Sequence, residues 1–311
     1  VSRVTWMSEA MVEPTGRVTV RAPAKINLHL GVGSPREDGF HPLATVYQAV
    51  GLYDDVTVTD APDWSVGLTA PIDGVPLDGD NIAIRAGRAL VAHHGLDLAA
   101  RITIAKGIPV MGGMAGGSAD AAATLLALDR LWDLQTSDDD LLRIAGELGS
   151  DVPFALLGGT ALGTGRGEVV TPIPDRSSVW WVVVLSEQGL STPAVYRHFD
   201  VLAPDAAAEP PVPQALIDAL AEGYTDEVGA LLHNDLWPAA RDLRPDLVDV
   251  EAQLRILGPD GVLLSGSGPT LLMLHEDVEE ARSVVADLTE RGFRCTIAPG
   301  PVAGAHVVTY A

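Results

Sequence analysis

Residues 107 to 132 constrain this chain more than any other stretch. They read Gly-Ile-Pro-Val-Met-Gly-Gly-Met-Ala-Gly-Gly-Ser-Ala-Asp, then Ala-Ala-Ala-Thr-Leu-Leu-Ala-Leu-Asp-Arg-Leu-Trp. The first half is a loop that only small residues can form, because Gly112, Gly113, Gly116 and Gly117 permit positive φ and close approach to the backbone. The second half predicts a helix whose apolar face is Ala122, Leu125, Leu126, Leu128 and Trp132. Ser118 and Asp120 stand where an N-cap and a first-turn residue are expected. A glycine loop entering a helix gathers unpaired N–H groups at the positive end of the helix dipole, which suits an anion, most often phosphate. The plainer alternative is a flexible strand-to-helix turn.

Spacing separates this loop from two familiar phosphate loops. Gly112 and Gly117 match the glycines of G-x-x-x-x-G, but Ser118 and Ala119 follow where Lys and Ser/Thr are required. The dinucleotide pattern G-x-G-x-x-G fails here, at Gly163-Thr-Gly165 and at Gly266-Ser-Gly268. The loop therefore has no lysine of its own. Lys25, in Ala-Pro-Ala-Lys-Ile-Asn-Leu, is a candidate from elsewhere, where an ammonium could stabilise charge in phosphoryl transfer. A strand lysine is otherwise usually solvated. Asp151, in Gly-Ser-Asp-Val-Pro-Phe, reads either as a helix N-cap or as a proton acceptor in an apolar setting, and the two are compatible.

The remaining chain divides by composition and periodicity. With 311 residues, a core large enough for two domains is expected, with the boundary near residues 174–178. Strands are predicted at Arg17 to Ala22 and Lys25 to Gly33, separated by Pro23, with Asn27, His29 and Gly31 on one face and Ile26, Leu28, Leu30 and Val32 on the other. Further strands are predicted at 43–50, 55–59, 65–70 and 101–105, and a hairpin at 158–162 and 168–173. Helices are expected at Asn81 to His94, ended by Gly95, and at 138–148, capped by Ser137. The second half carries strands at 179–185, 262–264, 270–274 and 293–298, with helices at 193–199, 213–221, 247–257 and 278–291. These separated runs give an α+β class.

A net charge of −22 argues against a nucleic-acid partner. It also means that a polyphosphate must be held by local donors rather than by the overall field. Apolar runs such as Val179 to Leu185 are too short to span a bilayer, so no membrane partner is expected. The lone Cys295 excludes an internal disulfide, and the scattered histidines show no zinc spacing. Residues 1–16 lack a basic start before an apolar core and read as a loose extension, so a cytoplasmic setting is expected. Ser118 lacks the G-x-S-x-G elbow of a hydrolase nucleophile.

Three motifs occur in one order: Pro23-Ala-Lys-Ile-Asn-Leu28, Pro109 to Ala123, and Leu264-Ser-Gly-Ser-Gly-Pro-Thr270. In these the chain resembles the GHMP small-molecule kinases, named for galactokinase, homoserine kinase, mevalonate kinase and phosphomevalonate kinase. Arg36-Glu-Asp-Gly-Phe-His41, Lys106-Gly-Ile-Pro109 and Gly149-Ser-Asp-Val-Pro-Phe154 are most similar to the branch acting in non-mevalonate isoprenoid biosynthesis. That branch phosphorylates the 2-hydroxyl of a cytidine-diphosphate-linked methylerythritol.

The resemblance implies an N-terminal domain like ribosomal protein S5 over residues 17–175, which binds ATP, and a ferredoxin-like domain over 176–311, with the active site between them. It implies ATP and Mg²⁺, with Asp151 accepting the hydroxyl proton and Lys25 orienting the same site. The ATP phosphates would be wrapped by Pro109, Val110, Met111, Gly112, Gly113, Met114, Ala115, Gly116, Gly117, Ser118, Ala119 and Asp120. Asn27 would hold substrate near Lys25, Phe40 and Tyr196 would sandwich cytosine, and His41 would meet its edge. Gly266, Ser267 and Gly268 would present N–H groups across the cleft. Two positions depart from the family pattern: Phe40 stands where Tyr is common, and Ala119 where a second serine is frequent. Ser118 is the candidate Mg²⁺ ligand. The alternatives are a sister kinase for mevalonate or homoserine, and a silent ligand sensor on the same fold. An RNA-binding module is disfavoured by the charge.

Overall fold

The computed structural model describes residues 16–110 and 112–309. Residues 1–15 of the expected extension, and Met111 of the glycine loop, lie outside the described residues. The first half of the chain forms β1 (Arg17–Val32), β2 (Leu43–Asp60), β3 (Ser65–Leu68), α1 (Ile82–His94), β4 (Ala100–Ala105), α2 (Gly116–Leu131), α3 (Asp138–Leu148), α4 (Val152–Leu157), β5 (Thr160–Thr164) and β6 (Val169–Pro172). The second half forms β7 (Val179–Leu185), α5 (Thr192–Leu202), α6 (Gln214–Glu222), α7 (Thr225–Ala230), β8 (His233–Asn234), α8 (Trp237–Leu243), α9 (Asp246–Arg255), β9 (Gly261–Leu264), β10 (Leu271–His275), α10 (Val278–Glu290), β11 (Arg294–Gly300) and β12 (His306–Val307).

The first sheet runs β12-β1-β2-β4-β3, with β5 and β6 extending from β2 and the short β8 lying parallel to β1. The two strands expected on either side of Pro23 are one strand. Proline has no N–H to give the ladder, and the register against β2 shifts between Pro23 and Ala24, so the irregularity absorbs it. Likewise β2 runs unbroken through the predicted gap at residues 51–54.

A second register shift, between Asn27 and His29, changes which side chains share a face. Lys25, Asn27 and Leu30 face one cavity, whereas His29 packs against His233 with ring centroids 5.1 Å apart. The predicted face of Asn27, His29 and Gly31 is therefore broken at the bulge. The same shift lets β1 serve two cores: Ile26 and Leu28 join the larger one, and Leu30 and Val32 the smaller.

Helix α2 is the centre of the first layer, packing on β1, β2, α1, α3 and α4. Its residues from Ala119 to Asp129 are all buried, so it is enclosed and not merely amphipathic as predicted. Alanines at 119, 121, 122, 123 and 127 make this possible, because a methyl side chain lets the helix backbone approach the sheet closely.

The second sheet is antiparallel in the order β11-β7-β10-β9, with helices in the β7-to-β9 and β10-to-β11 connections. That is the ferredoxin-like arrangement. Two short helices (α7, α8) and two short strands (β8, β12) were not predicted, since each is too brief to show a period. Both strands pair with β1, returning the second half of the chain to the first sheet. A buried hydrogen bond from Trp181 Nε1 to Gln48 Oε1, 2.8 Å long, joins β7 to β2.

Candidate active site

Lys25 is only 7% exposed, so it is not on a solvated strand face. Its ammonium donates to Asn27 Oδ1 at 3.1 Å, lies 3.3 Å from Asp151 Oδ2, and sits 5.0 Å from the centroid of the Tyr47 ring. Asn27 Nδ2 donates in turn to Thr45 Oγ1 at 2.8 Å, and Thr45 donates to the His29 carbonyl at 2.7 Å. Asp151 does occupy the N-cap position of α4, but its side chain makes no capping bond. The carboxylate is committed to Lys25 instead. Burial above all, reinforced by the Asp151 charge, raises the hydroxyl pKa values of Tyr47 and Tyr196 well above the ordinary phenol range. Both phenols thus stay neutral beside the Lys25–Asp151 pair.

The glycine loop closes on the same place. Helix α2 starts at Gly116 behind Ala115, which adopts left-handed φ of 58° and contributes no side-chain cap. Ser118 and Asp120 therefore lie inside the helix and not at its cap. The first intrahelical bond here runs from Ala119 N–H to the Ala115 carbonyl at 3.0 Å, so the N–H groups of Gly116, Gly117 and Ser118 precede it. Gly113 has φ of 71°, and a Cβ there would stand 2.6 Å from the Ser265 carbonyl oxygen. Backbone thus meets backbone between the glycine loop and the Ser265–Gly268 turn. Ser265 Oγ donates to the Gly113 carbonyl at 3.2 Å, and Lys25 N–H donates to the Met114 carbonyl at 3.1 Å. Asn234 holds the turn from behind, donating from Nδ2 to the carbonyls of Leu264 (2.9 Å) and Gly266 (2.7 Å).

Beneath the loop lies a buried cluster that the sequence reading did not detect as one. Lys106 Nζ bonds Asp54 Oδ2, Asp120 Oδ2 at 2.8 Å and the Gly116 carbonyl at 3.3 Å. Asp54 Oδ1 accepts the N–H groups of Gly107 (2.8 Å) and Ile108 (2.9 Å). The cluster pins the loop's first residues to the start of α2. Burial opposes the Lys106 charge, but Asp120 and Asp54 outweigh it and hold its pKa above the usual value. Burial pushes Asp120 up to about 8 despite the pull of Lys106.

A cavity of about 780 Å³ opens between the two halves of the chain. Of the residues singled out from sequence, Lys25, Asn27, Phe40, His41, Gly113, Ala115, Asp151, Tyr196, Gly266 and Ser267 line it. Gly268 does not, its carbonyl packing near Gly113, and neither do Pro109, Val110, Gly112, Met114, Gly116, Gly117, Ser118 and Ala119, of which Met114 and Ala119 are buried in the core. Asp120 is likewise turned away, onto Lys106. Tyr47, Ser150, Arg166, Thr192, Arg197 and Asp200 also line the cavity and were missed. They are ordinary residue types with no local pattern, and only Arg166, between Gly165 and Gly167, carried a turn signal. The Arg166 guanidinium lies 4.9 Å from the centroid of the Phe40 ring, while His41 pairs with Asp200 at 2.8 Å and its ring lies 4.9 Å from that of Tyr196.

Comparison with known proteins gives this arrangement its class. The chain matches the GHMP kinases N terminal domain over residues 81–159 and the GHMP kinases C terminal domain over residues 216–293. It belongs to the GHMP kinases and is an ATP-dependent small-molecule kinase. A 4-diphosphocytidyl-2-C-methyl-D-erythritol kinase of Nocardioides sp. is 62% identical to it over 297 residues, covering 94% of this chain and 100% of that one. The protein of the same name from Streptomyces avermitilis is 49% identical, over 94% and 99% of the two chains. A crystal structure of 4-(cytidine 5'-diphospho)-2C-methyl-D-erythritol kinase superposes with a TM-score of 0.75 at 33% identity, covering 92% of this chain and 100% of the other. No helix among the described residues is long and apolar enough to cross a membrane.

Proposed function

We propose that this chain transfers the terminal phosphoryl group of ATP to the 2-hydroxyl of 4-diphosphocytidyl-2-C-methyl-D-erythritol, a step of non-mevalonate isoprenoid precursor synthesis. The observation that carries the reading is the Lys25–Asp151 pair, 3.3 Å apart on the wall of a cavity that the glycine loop also reaches. In this reading Asp151 accepts the hydroxyl proton as the new O–P bond forms, and Lys25 holds that carboxylate and the attacking oxygen in line. The N–H groups of Gly116, Gly117 and Ser118, ahead of the first intrahelical bond, take the phosphate oxygens, and Gly113 lets the loop that leads to them pack directly on the Ser265–Gly268 turn. Phosphoryl transfer requires positioning and charge stabilisation above all, and these groups supply both.

Mg²⁺ would travel on the ATP phosphates and neutralise their charge. Among the described residues no cluster of three or more His, Cys, Asp or Glu side chains fits a metal. Ser118, half-buried in the first turn of α2, is the protein donor we assign to it.

The cytidine diphosphate part serves as a handle, whose binding energy fixes the distant hydroxyl. Phe40, His41 and Tyr196 line the end of the cavity assigned to the base. Arg166 and Arg197 add positive charge for the diphosphate, a local reversal in a chain of net charge −22. Asn27, Gly266 and Ser267 border the methylerythritol. We assign ATP binding and catalysis to residues 17–175, closure of the substrate cleft to 176–311, and a cytoplasmic setting to the whole.

An ATP-consumption assay across the cytidylyl substrate, mevalonate and homoserine tests the reading. Turnover with mevalonate or homoserine in place of the cytidylyl compound would replace it with a sister kinase. Asp151→Asn is expected to lower kcat by about 10²–10⁴-fold while ATP still binds. Near-normal turnover of that variant removes Asp151 from the mechanism.

A further inference from the structure

Tyr47, on β2, carries a hydroxyl into a place where phenylalanine would fill the core equally well. Its side chain is 1% exposed, its ring packs on Phe154 with centroids 5.0 Å apart, and the Lys25 ammonium sits over that ring at 5.0 Å from its centroid. A buried hydroxyl is destabilising unless it finds a hydrogen-bond partner. Asp151 is that partner: the phenol lies within hydrogen-bonding reach of its carboxylate. Burial first, and then the Asp151 charge, hold the phenol well above its ordinary pKa, so it keeps its proton and can donate it.

The turn between β5 and β6 is shaped around this hydroxyl. Gly163, Gly165 and Gly167 recur at alternate positions, in the run that fails as a dinucleotide loop. A Cβ at Gly163 would stand 2.5 Å from Tyr47 Cε2, and one at Gly167, where φ is 101°, would collide with the Tyr47 hydroxyl oxygen. A side chain at 167 would therefore displace the phenol. The turn is itself fixed, since Gly167 N–H donates to the Thr164 carbonyl at 2.9 Å and the Gly165 carbonyl accepts from Leu43 N–H at 2.8 Å.

Asp151 needs such a hold. It makes no capping bond at the start of α4, its side chain is 29% exposed, and its ion pair with Lys25 is 3.3 Å long. Proton transfer requires the acceptor to stay within hydrogen-bond reach of the substrate hydroxyl. We infer that Tyr47 is a positioning residue for phosphoryl transfer: its hydroxyl, seated by Gly163 and Gly167, donates to Asp151 and fixes the carboxylate that receives the substrate proton. The inference rests on the role given to Asp151 above. One side chain thus touches both members of the pair, the ring attracting the ammonium and the hydroxyl holding the carboxylate. Tyr196 on α5 and Glu168 after Gly167 are the other ionisable groups that act on this phenol.

The test is a double-mutant cycle on the full chain with Tyr47→Phe, Asp151→Asn and both together. Phenylalanine keeps the ring beneath Lys25 and removes the hydroxyl alone. It should lower kcat about tenfold, with KM for ATP and for the acceptor within about twofold of wild type and the melting temperature unchanged or raised. In the Asp151→Asn background the same change should alter kcat by less than about twofold, because the base it positions is gone. An unchanged kcat in Tyr47→Phe overturns the inference. So does a loss of equal size in the two backgrounds, which would place the effect in core packing. A rise in acceptor KM alone also overturns it, by making the phenol a substrate contact. Near-normal turnover of Asp151→Asn by itself removes Asp151 from the mechanism and this inference with it. A wild type that turns over mevalonate or homoserine instead fails only the cytidylyl reading, and the cycle is then read on that acceptor.

Discussion

Replacing Asp120 by asparagine tests the physical account of the loop's foundation. Asp120 is 4% exposed; its Oδ2 meets Lys106 at 2.8 Å, and its Oδ1 is buried with no hydrogen-bond partner among the described residues. Burial, opposed by Lys106 and reinforced by the nearby Asp54 charge, pushes this carboxyl up to about 8. In the unfolded chain it reverts to roughly 3.9. The native state therefore holds the proton more tightly than the unfolded state does. The resulting stability is fully present below about pH 4 and is lost as pH rises towards 8. About four pKa units at 1.36 kcal/mol each set a ceiling of roughly 5 kcal/mol on the loss.

A side-chain amide at this position would carry no proton to lose. Relative to wild type, Asp120→Asn should gain roughly 2–4 kcal/mol of stability between pH 5 and pH 8. Urea unfolding followed by tryptophan fluorescence at several pH values measures the difference. A gap between the two proteins that stays flat across that range refutes the reasoning. Because the carboxylate is turned from the cavity, KM for ATP should change by less than about threefold.

Two further substitutions test how the cleft is assembled. Gly113→Ala places a methyl group 2.6 Å from the Ser265 carbonyl oxygen at a φ of 71°; we expect a cost of about 1–3 kcal/mol and a raised KM for ATP. A variant with wild-type melting temperature and KM would show that the glycine loop does not need this conformation. Asn234→Ala strips the Leu264 and Gly266 carbonyls of a donor and leaves the Leu236 N–H without its acceptor, so a loss of about 2–4 kcal/mol is expected in thermal unfolding. Unchanged stability would mean that water replaces the amide at no cost.

Much of the scaffold was legible because its signals are local. Asn81 caps α1 through its contact with Ala83 N–H, Gly95 ends that helix in left-handed geometry, and Ser137 caps α3. These features depend on a few neighbouring residues, and so does the glycine loop. The errors came where tertiary context overrode local preference. Pro23 reads as a break, yet the pairing of β1 with β2 absorbs it. Ser118 reads as a cap, yet Ala115 takes that position because the loop reaches the helix from a left-handed turn.

The site followed the same division. Lys25 and Asp151 each had a plain structural alternative, and their meeting at 3.3 Å depends on α4 packing beside β1. Arg166, Arg197 and Asp200 were invisible because a charged residue on a loop or helix is ordinary until a cavity forms around it. The amino-acid order by itself determined a glycine loop, its helix and the caps around them, since backbone sterics and hydrogen bonding act over a few residues. Which charges are buried together, which carboxylate pairs with Lys25 and which residues face one cavity were decided by the tertiary structure. Desolvation and charge pairing depend on what long-range packing brings alongside each side chain.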